Sequence, residues 1–525
     1  MPDTKSEKID WSILIVIILG TFMAILDSSI VNVALPKMMA IFNASTDDIE
    51  WILTAYMLTL GVIMPISGFL GDRFGYKRIY ILALSLFVVG SGLCGLAWNL
   101  PSMIFARVIQ ALGGGIMQPL GMALIYRSFP RSKMGMVLGF WGIAAMAAPA
   151  IGPTLGGYLV DYVYWRLIFY INVPIGLLNI FLAGLLLTES PLIKGHHFDF
   201  VGLISSCVGL FCLLLAISKG TTEGWTSLYI LTLEIVAFTS LAIFVFNELT
   251  HPEPLLDLRM FKNKIFTLSI VIGALIAMGL FGAIFLIPLM LQNFLGQSAM
   301  KTGLIMFPAA LASSIMMPVS GRLYDKYGAR WVVIFGLAVV SYSTYVMGSF
   351  GALTSFFTMM VWMTVRGGGM AFCFMPITTA GMNSIPQHLV GRASALSNVI
   401  RQVAASFGVA MMTTIMQHRQ VAHLAQLANS VNMSSNDYIH IQEALSGMAV
   451  TRNWSMAQAQ GVGLGYIDKL IVIRSYIESM DDCFVIAALL CLFALVLCLL
   501  FLKDDKKRQT PAALPNEPPA VALET

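Results

Sequence analysis

Long apolar runs separated by short charged clusters recur along the whole chain. Fourteen of them can be read, at about 12–35, 50–70, 79–98, 102–125, 135–158, 166–188, 199–218, 227–248, 265–292, 302–322, 331–350, 354–381, 391–417 and 482–502. Spanning the hydrocarbon core takes roughly 20 residues of helix. Each span must be helical, because backbone in lipid has to satisfy its own hydrogen bonds. The pattern predicts an all-α membrane protein with fourteen transmembrane helices. Between the last two runs, Gln417 to Asp481 is more polar and reads as a long loop with short amphipathic stretches such as Val421–Leu427. The tail beyond Lys503 is charged, then rich in Pro and Ala, and reads as disordered. The first run, Trp11 to Pro36, is too long for the apolar core of a cleavable signal peptide.

Composition agrees with that pattern. Hydrophobic residues make up 58%, charged residues 11%, and mean hydropathy is +0.82. A soluble domain carries about 25% charged residues, so a surface this poor in charge belongs against lipid. The net charge of +4 is small and the bases do not cluster, which argues against a nucleic-acid partner. The seven cysteines lie almost all in apolar runs, with neither metal-ligand spacing nor a disulfide framework. The His residues form no ligand cluster, so no metal is expected. No phosphate-cradling Gly-x-x-x-x-Gly-Lys loop occurs, which argues against direct use of ATP. No cofactor is expected.

Basic residues set the orientation. With both ends inside, about 20 of the 31 Lys and Arg fall in cytoplasmic segments, as the positive-inside rule requires. Both termini are therefore expected in the cytoplasm.

The chain also repeats itself. Gly68-Phe-Leu-Gly-Asp72-Arg73-Phe-Gly75-Tyr-Lys77-Arg78 follows the second run, and Gly321-Arg-Leu-Tyr-Asp325-Lys326-Tyr-Gly328-Ala-Arg330 the tenth. A second pair comprises Arg107–Gly115 in the fourth run and Arg366-Gly367-Gly368-Gly369 in the twelfth. An offset of about 250 residues, or eight runs, parses as six helices, two inserted helices and six more. The expected divisions are a cytoplasmic segment 1–11, a first six-helix bundle 12–190, an inserted pair 198–250, a second bundle 260–503 with a periplasmic loop 418–481, and a tail 504–525. Paired halves of this kind place substrate and ion sites at the midplane between them.

At these motifs the chain resembles the major facilitator superfamily, and within it the fourteen-helix drug:proton antiporters of the EmrB/QacA type. Leu26-Asp27-Ser28-Ser29-Ile30-Val31-Asn32-Val33-Ala34-Leu35-Pro36 resembles that family's first-helix signature, and Gly68–Arg78 its loop motif. Arg107–Gly115 resembles the fourth-helix motif, with Ala111 where Gly is frequent. Pro149-Ala-Ile-Gly152-Pro153-Thr-Leu-Gly156-Gly157 resembles the antiporter motif, and Trp165–Gly176 a segment of the fourteen-helix branch. Ser394-Ala-Leu-Ser397-Asn398-Val-Ile-Arg401 and the long outer loop are most similar to the EmrB subgroup. The second loop motif is degenerate, with Arg330 alone where the first copy has two bases.

The resemblance implies proton-coupled export of small amphipathic compounds across a bacterial inner membrane, powered by the proton gradient. It also implies a periplasmic adaptor and an outer-membrane channel as partners. Two other readings are an exporter of one metabolite or siderophore with the same fold, and a membrane sensor or scaffold that transports nothing. No catalytic constellation suggests an enzyme.

Candidate residues follow from cost as well as resemblance. Asp27 falls mid-span, where an ionised carboxylate costs about 2.5–3.5 kcal/mol, and such residues mark ion or substrate paths. Arg107 keeps its proton in any protein. Approaching Asp27 in one state and leaving it in another, it would couple protonation to conformation; the alternative is a structural hydrogen bonder. Asn32, Gln110 and Arg401 complete the expected proton-coupling and substrate set. Gly68, Asp72, Arg73, Gly75, Lys77, Arg78, Gly321, Asp325 and Lys326 are expected at a cytoplasmic gate, as a latch or as topological anchors. Pro149, Gly152, Pro153, Gly156 and Gly157 allow bending and close helix approach, and only the resemblance ties them to export. The roles of Glu234 and Arg366 stay open.

Overall fold

A computed structural model describes residues 11–189, 199–252, 254–294, 296–297, 299–351, 354–430 and 455–502. Its long helices are α1 (Trp11–Phe42), α2 (Trp51–Phe74), α3 (Tyr76–Leu96), α4 (Leu100–Ser128), α5 (Met134–Tyr158), α6 (Asn172–Leu186), α7 (Phe200–Glu223), α8 (Leu228–Thr250), α9 (Lys264–Leu289), α10 (Ala299–Tyr327), α11 (Ala329–Met347), α12 (Phe356–Asn383), α13 (Val390–Ser430) and α14 (Met456–Phe501). No strand occurs among the described residues.

Local sequence explains the helix ends. Asn99 closes a capping box on Ser102 at the start of α4, and Ser455 does the same with Gln458 for α14. Asp199, Ser227 and Asn263 cap α7, α8 and α9 by accepting from backbone N–H groups. Gly75 (φ 96°) and Gly328 (φ 83°) end α2 and α10 in the conformation that side chains resist. The two copies of the loop motif thus make the same turn.

Among the described residues, eleven helices are long and apolar enough to cross a membrane, or twelve if α5 and its bent continuation count as one span. Each of the fourteen sequence runs falls on one of the helices α1–α14. The two that fall short are α9, apolar enough only over Lys264–Leu280, and α12, where Arg366 and three glycines dilute the apolar stretch. The segment bends by 40° between Met134–Pro149 and Ile151–Val163, where two prolines remove backbone donors. A π-helical turn over Leu159–Val163 continues it.

Helices α1–α6 pack on one another, as do α9–α14, and the two groups meet where α5 faces α10 and α2 faces α13. Helix α7 packs on both α2 and α13, with α8 outside it. Helix α8 buries only Ile230, Ala237, Phe244 and Glu248, as expected of a helix turned mostly toward lipid. Glu234 on it is half-buried.

The polar segment 418–481 departs from the sequence reading. Helix α13 continues to Ser430 and α14 begins at Met456, so 418–430 and 456–481 are helical rather than loop. Val421–Leu427 belongs to the extension of α13. Hydropathy falls at Gln417, but the following residues favour helix. Side chains also join the two extensions: Arg419 Nε lies 2.6 Å from Asp482, and His423 pairs with both Asp482 and Glu478. Residues 431–454, the expected cytoplasmic segment before Trp11 and the expected disordered tail from Lys503 lie outside the described residues.

Candidate functional site

The first half holds a buried polar cluster. Helix α1 carries Asp27, α4 carries Arg107 and Gln110, and α6 opens with Asn172. One Asp27 oxygen accepts from Arg107 Nη1 at 2.5 Å; the other accepts from Gln110 Nε2 at 2.8 Å and Asn172 Nδ2 at 3.1 Å. Arg107 Nη1 also donates to Gln110 Oε1 at 2.7 Å, closing the triangle. Asn172 Nδ2 donates to Ser91 Oγ as well, and Ser91 donates to the Phe169 carbonyl. The Arg107 guanidinium lies 3.9 Å from the centre of the Tyr56 ring. Asp27, Arg107 and Gln110 have no exposed surface. Arg107 Nη2 and Asn172 Oδ1 have no hydrogen-bond partner.

This arrangement corrects the expected grouping. Of the expected set, Asp27, Arg107 and Gln110 come together inside the first bundle. Asn32 is exposed and, among the described residues, donates only within its own helix, to Ser28. Arg401 is in the other half on α13, where Nη2 donates to Asn398 Oδ1 at 2.5 Å and the guanidinium lies 4.9 Å from the Phe374 ring centre. Ser91 and Asn172 lie outside the expected set. Asn172 is within the Trp165–Gly176 segment, but one amide among apolar residues carries no sign of its partner in sequence.

The antiporter segment abuts this cluster. Gly152 packs against Ser29, and Gly156 against Ile30, both just past Asp27 on α1. Ser29 Oγ reaches the Ala148 carbonyl at 3.4 Å. Across the seam, Gly157 lies beside Met300 of α10.

The two loop motifs meet the opposite halves at one end of the bundle. Gly68 of α2 lies against the backbone of Gly391 on α13, and Gly321 of α10 against that of Gly135 on α5. Asp72, almost fully buried, accepts from Tyr76 at 3.0 Å and Arg127 at 2.9 Å, and lies 3.8 Å from Arg392 Nε across the seam. Its repeat counterpart Asp325 instead accepts from the backbone N–H groups of Gly135 and Met136 at 3.1 and 3.2 Å. Those groups open α5, where a carboxylate suits the helix dipole. Arg131 adds bonds from Nη1 and Nη2 to the Asn383 and Ile385 carbonyls. A continuous apolar core joins Tyr76 and Leu138 to Ile385 and Val390 beneath these contacts.

The motif's own bases point elsewhere. Arg73 lies near the rings of Phe69 and Phe74, Lys77 donates to the Gly184 carbonyl, Arg78 pairs with Glu189, and Lys326 lies near Tyr327. The cations that hold Asp72 are Arg127 and Arg392, which the repeat does not contain.

Two pseudo-related helical bundles, closed on each other at one end and built around a buried Asp–Arg pair, define the architecture of a secondary transporter. The chain belongs to the Major Facilitator Superfamily, whose family model matches residues 17–409. It is 38% identical to an uncharacterized MFS-type transporter, YhcA of Bacillus subtilis, over 96% of this chain and 94% of that one. It is 33% identical to the multidrug export protein EmrB of Haemophilus influenzae, over 86% of this chain and 89% of that one. The fold superimposes on the proton:xylose symporter XylE with a TM-score of 0.60 at 14% identity, covering 94% of this chain and 96% of that one.

Proposed function

We propose that this protein exports small amphipathic compounds across the bacterial inner membrane in exchange for protons, by alternating access. The observation that carries the reading is Asp27, a carboxylate fully buried among the helices of the first bundle and held by Arg107, Gln110 and Asn172. Asp27 has no exposed surface, so access to it requires the cluster to open. The Gly152–Gly156 segment packed on Ser29 and Ile30 links that opening to α5, which also faces α10. The named drug exporter among its relatives supports the substrate class.

In this reading the end bearing the two loop motifs faces the cytoplasm, with both termini there. The Gly68–Gly391 and Gly321–Gly135 contacts, with Asp72 and Asp325, form the closed gate of an outward-facing state. The α13 and α14 extensions then project into the periplasm and meet an adaptor that leads to an outer-membrane channel. Removing 431–454 should abolish co-purification of such an adaptor while transport in vesicles persists.

The energy source is the proton gradient. One charge crossing about 100 mV yields roughly 2.3 kcal/mol, and one pH unit about 1.4 kcal/mol. Dye efflux from vesicles should stop when both are collapsed together; efflux continuing at its full rate would rule out proton coupling.

A further inference from the structure

The second bundle holds two guanidinium groups within its helices, those of Arg366 and Arg401. Asp27 and Arg107 neutralise each other in the first half. In the second half, and among the described residues, Arg366 donates only to Thr344 Oγ1 and the Leu280 carbonyl, and Arg401 only to Asn398. No carboxylate among the described residues forms an ion pair with either.

Arg401 lines a recess between α9, α12 and α13. Three features give that recess a chemical preference. The guanidinium cannot lose its charge and has five N–H donors, most of them unused. Ser269 Oγ, on the α9 side of the recess, is buried and has no hydrogen-bond partner among the described residues. Phe266, Phe374 and Ile377 belong to its apolar lining, and Thr378 and Ser397 also line it. A guanidinium and a partnerless hydroxyl among the residues lining one small space are the complement of an anionic acceptor. The recess offers the centres of water-sized groups about 20 Å³, room for the oxygens of one head group rather than for a drug-sized molecule.

Resting on the transport reading above, we propose that this recess seats the acidic head group, a carboxylate or sulfonate, of an amphipathic substrate, on Arg401 and Ser269, with its apolar body outside. Asn398 fixes the guanidinium from one side. Asn398 also donates to the Ser394 carbonyl, and Ser394 Oγ donates to the Pro119 carbonyl of α4 in the first half. Occupation of Arg401 therefore pulls on a chain of hydrogen bonds that crosses between the halves.

The test is equilibrium binding of 1-naphthoate and of 1-naphthylmethylammonium to the full-length protein in phosphatidylcholine nanodiscs. The acid should bind, and any binding of the amine should not depend on residue 401. Arg401→Gln should weaken naphthoate roughly ten- to a hundredfold, the usual loss for a hydrogen bond to a charged group; Arg401→Lys should recover part of it. Ser269→Ala, which leaves the helix contacts nearly intact, should weaken it by a smaller factor. Unchanged naphthoate affinity in both Arg401→Gln and Ser269→Ala would overturn the site, as would tighter binding of the amine. Adding phosphatidylglycerol should leave naphthoate binding unchanged; displacement would assign the recess to lipid and overturn the substrate reading. Transport of a neutral dye under a pH gradient separates the two proposals. If that dye moves and naphthoate does not bind, only the acid site fails; if the dye does not move, the transport reading fails.

Discussion

Arg107 and Asp27 meet at 2.5 Å with no exposed surface on either side chain. Removing one partner of such a buried pair costs about 3–5 kcal/mol, because the other charge is left uncompensated. Asp27→Asn and Arg107→Gln should each lower the unfolding temperature in detergent. The double variant should unfold nearer to wild type than either single one, since neighbours in one network are not additive. Strictly additive losses would show that the pair is not coupled.

Asp72 and Asp325 occupy the same place in the repeat but meet different partners. Asp325 binds two backbone N–H groups, so Asn can keep one of those bonds, whereas Asp72 balances Arg127 and Arg392. Asp325→Asn should therefore retain most transport and Asp325→Ala should lose it, while Asp72→Asn should already be severely impaired. Initial rates of dye efflux at matched protein levels decide this.

Gly391 and Gly321 each lie against the opposite half, with no room for a side chain. Gly391→Leu should hold that end open, giving normal membrane levels but no export. A cysteine placed at the buried Ser394 should become reactive to a thiol reagent in this background and stay protected in the parent protein. Equal reactivity in both would argue against a gate at this seam.

Charge movement distinguishes substrate classes. Exchange of one proton for one anion carries two charges, worth about 4.6 kcal/mol per 100 mV, against about 2.3 for a neutral compound and none for a monovalent cation. Potential alone should therefore drive acid export more strongly than neutral export, measured as accumulation ratios in vesicles at equal pH.

The helices and the two loop motifs were legible in sequence because each is written locally, in apolar length and in residues such as Gly75 and Gly328. Asp27 was legible because a mid-span carboxylate is costly. What lay beyond sequence was partnership. Asn172 and Ser91 are ordinary residues until packing places them on Asp27, and Arg392 lies far along the chain from Asp72. The motif bases Arg73, Lys77 and Arg78 are plain in the sequence, yet they turn away from the seam. Hydropathy ended α13 too early because it measures lipid burial; the Arg419–Asp482 pair stabilises helix outside it.

The most direct test of the account is uptake into proteoliposomes under an imposed pH gradient, comparing wild type with Asp27→Asn at equal reconstitution. The account predicts gradient-driven accumulation in wild type and none in the variant, with exchange of substrate for substrate still measurable in both. Gradient-driven accumulation by Asp27→Asn at the wild-type rate would contradict it.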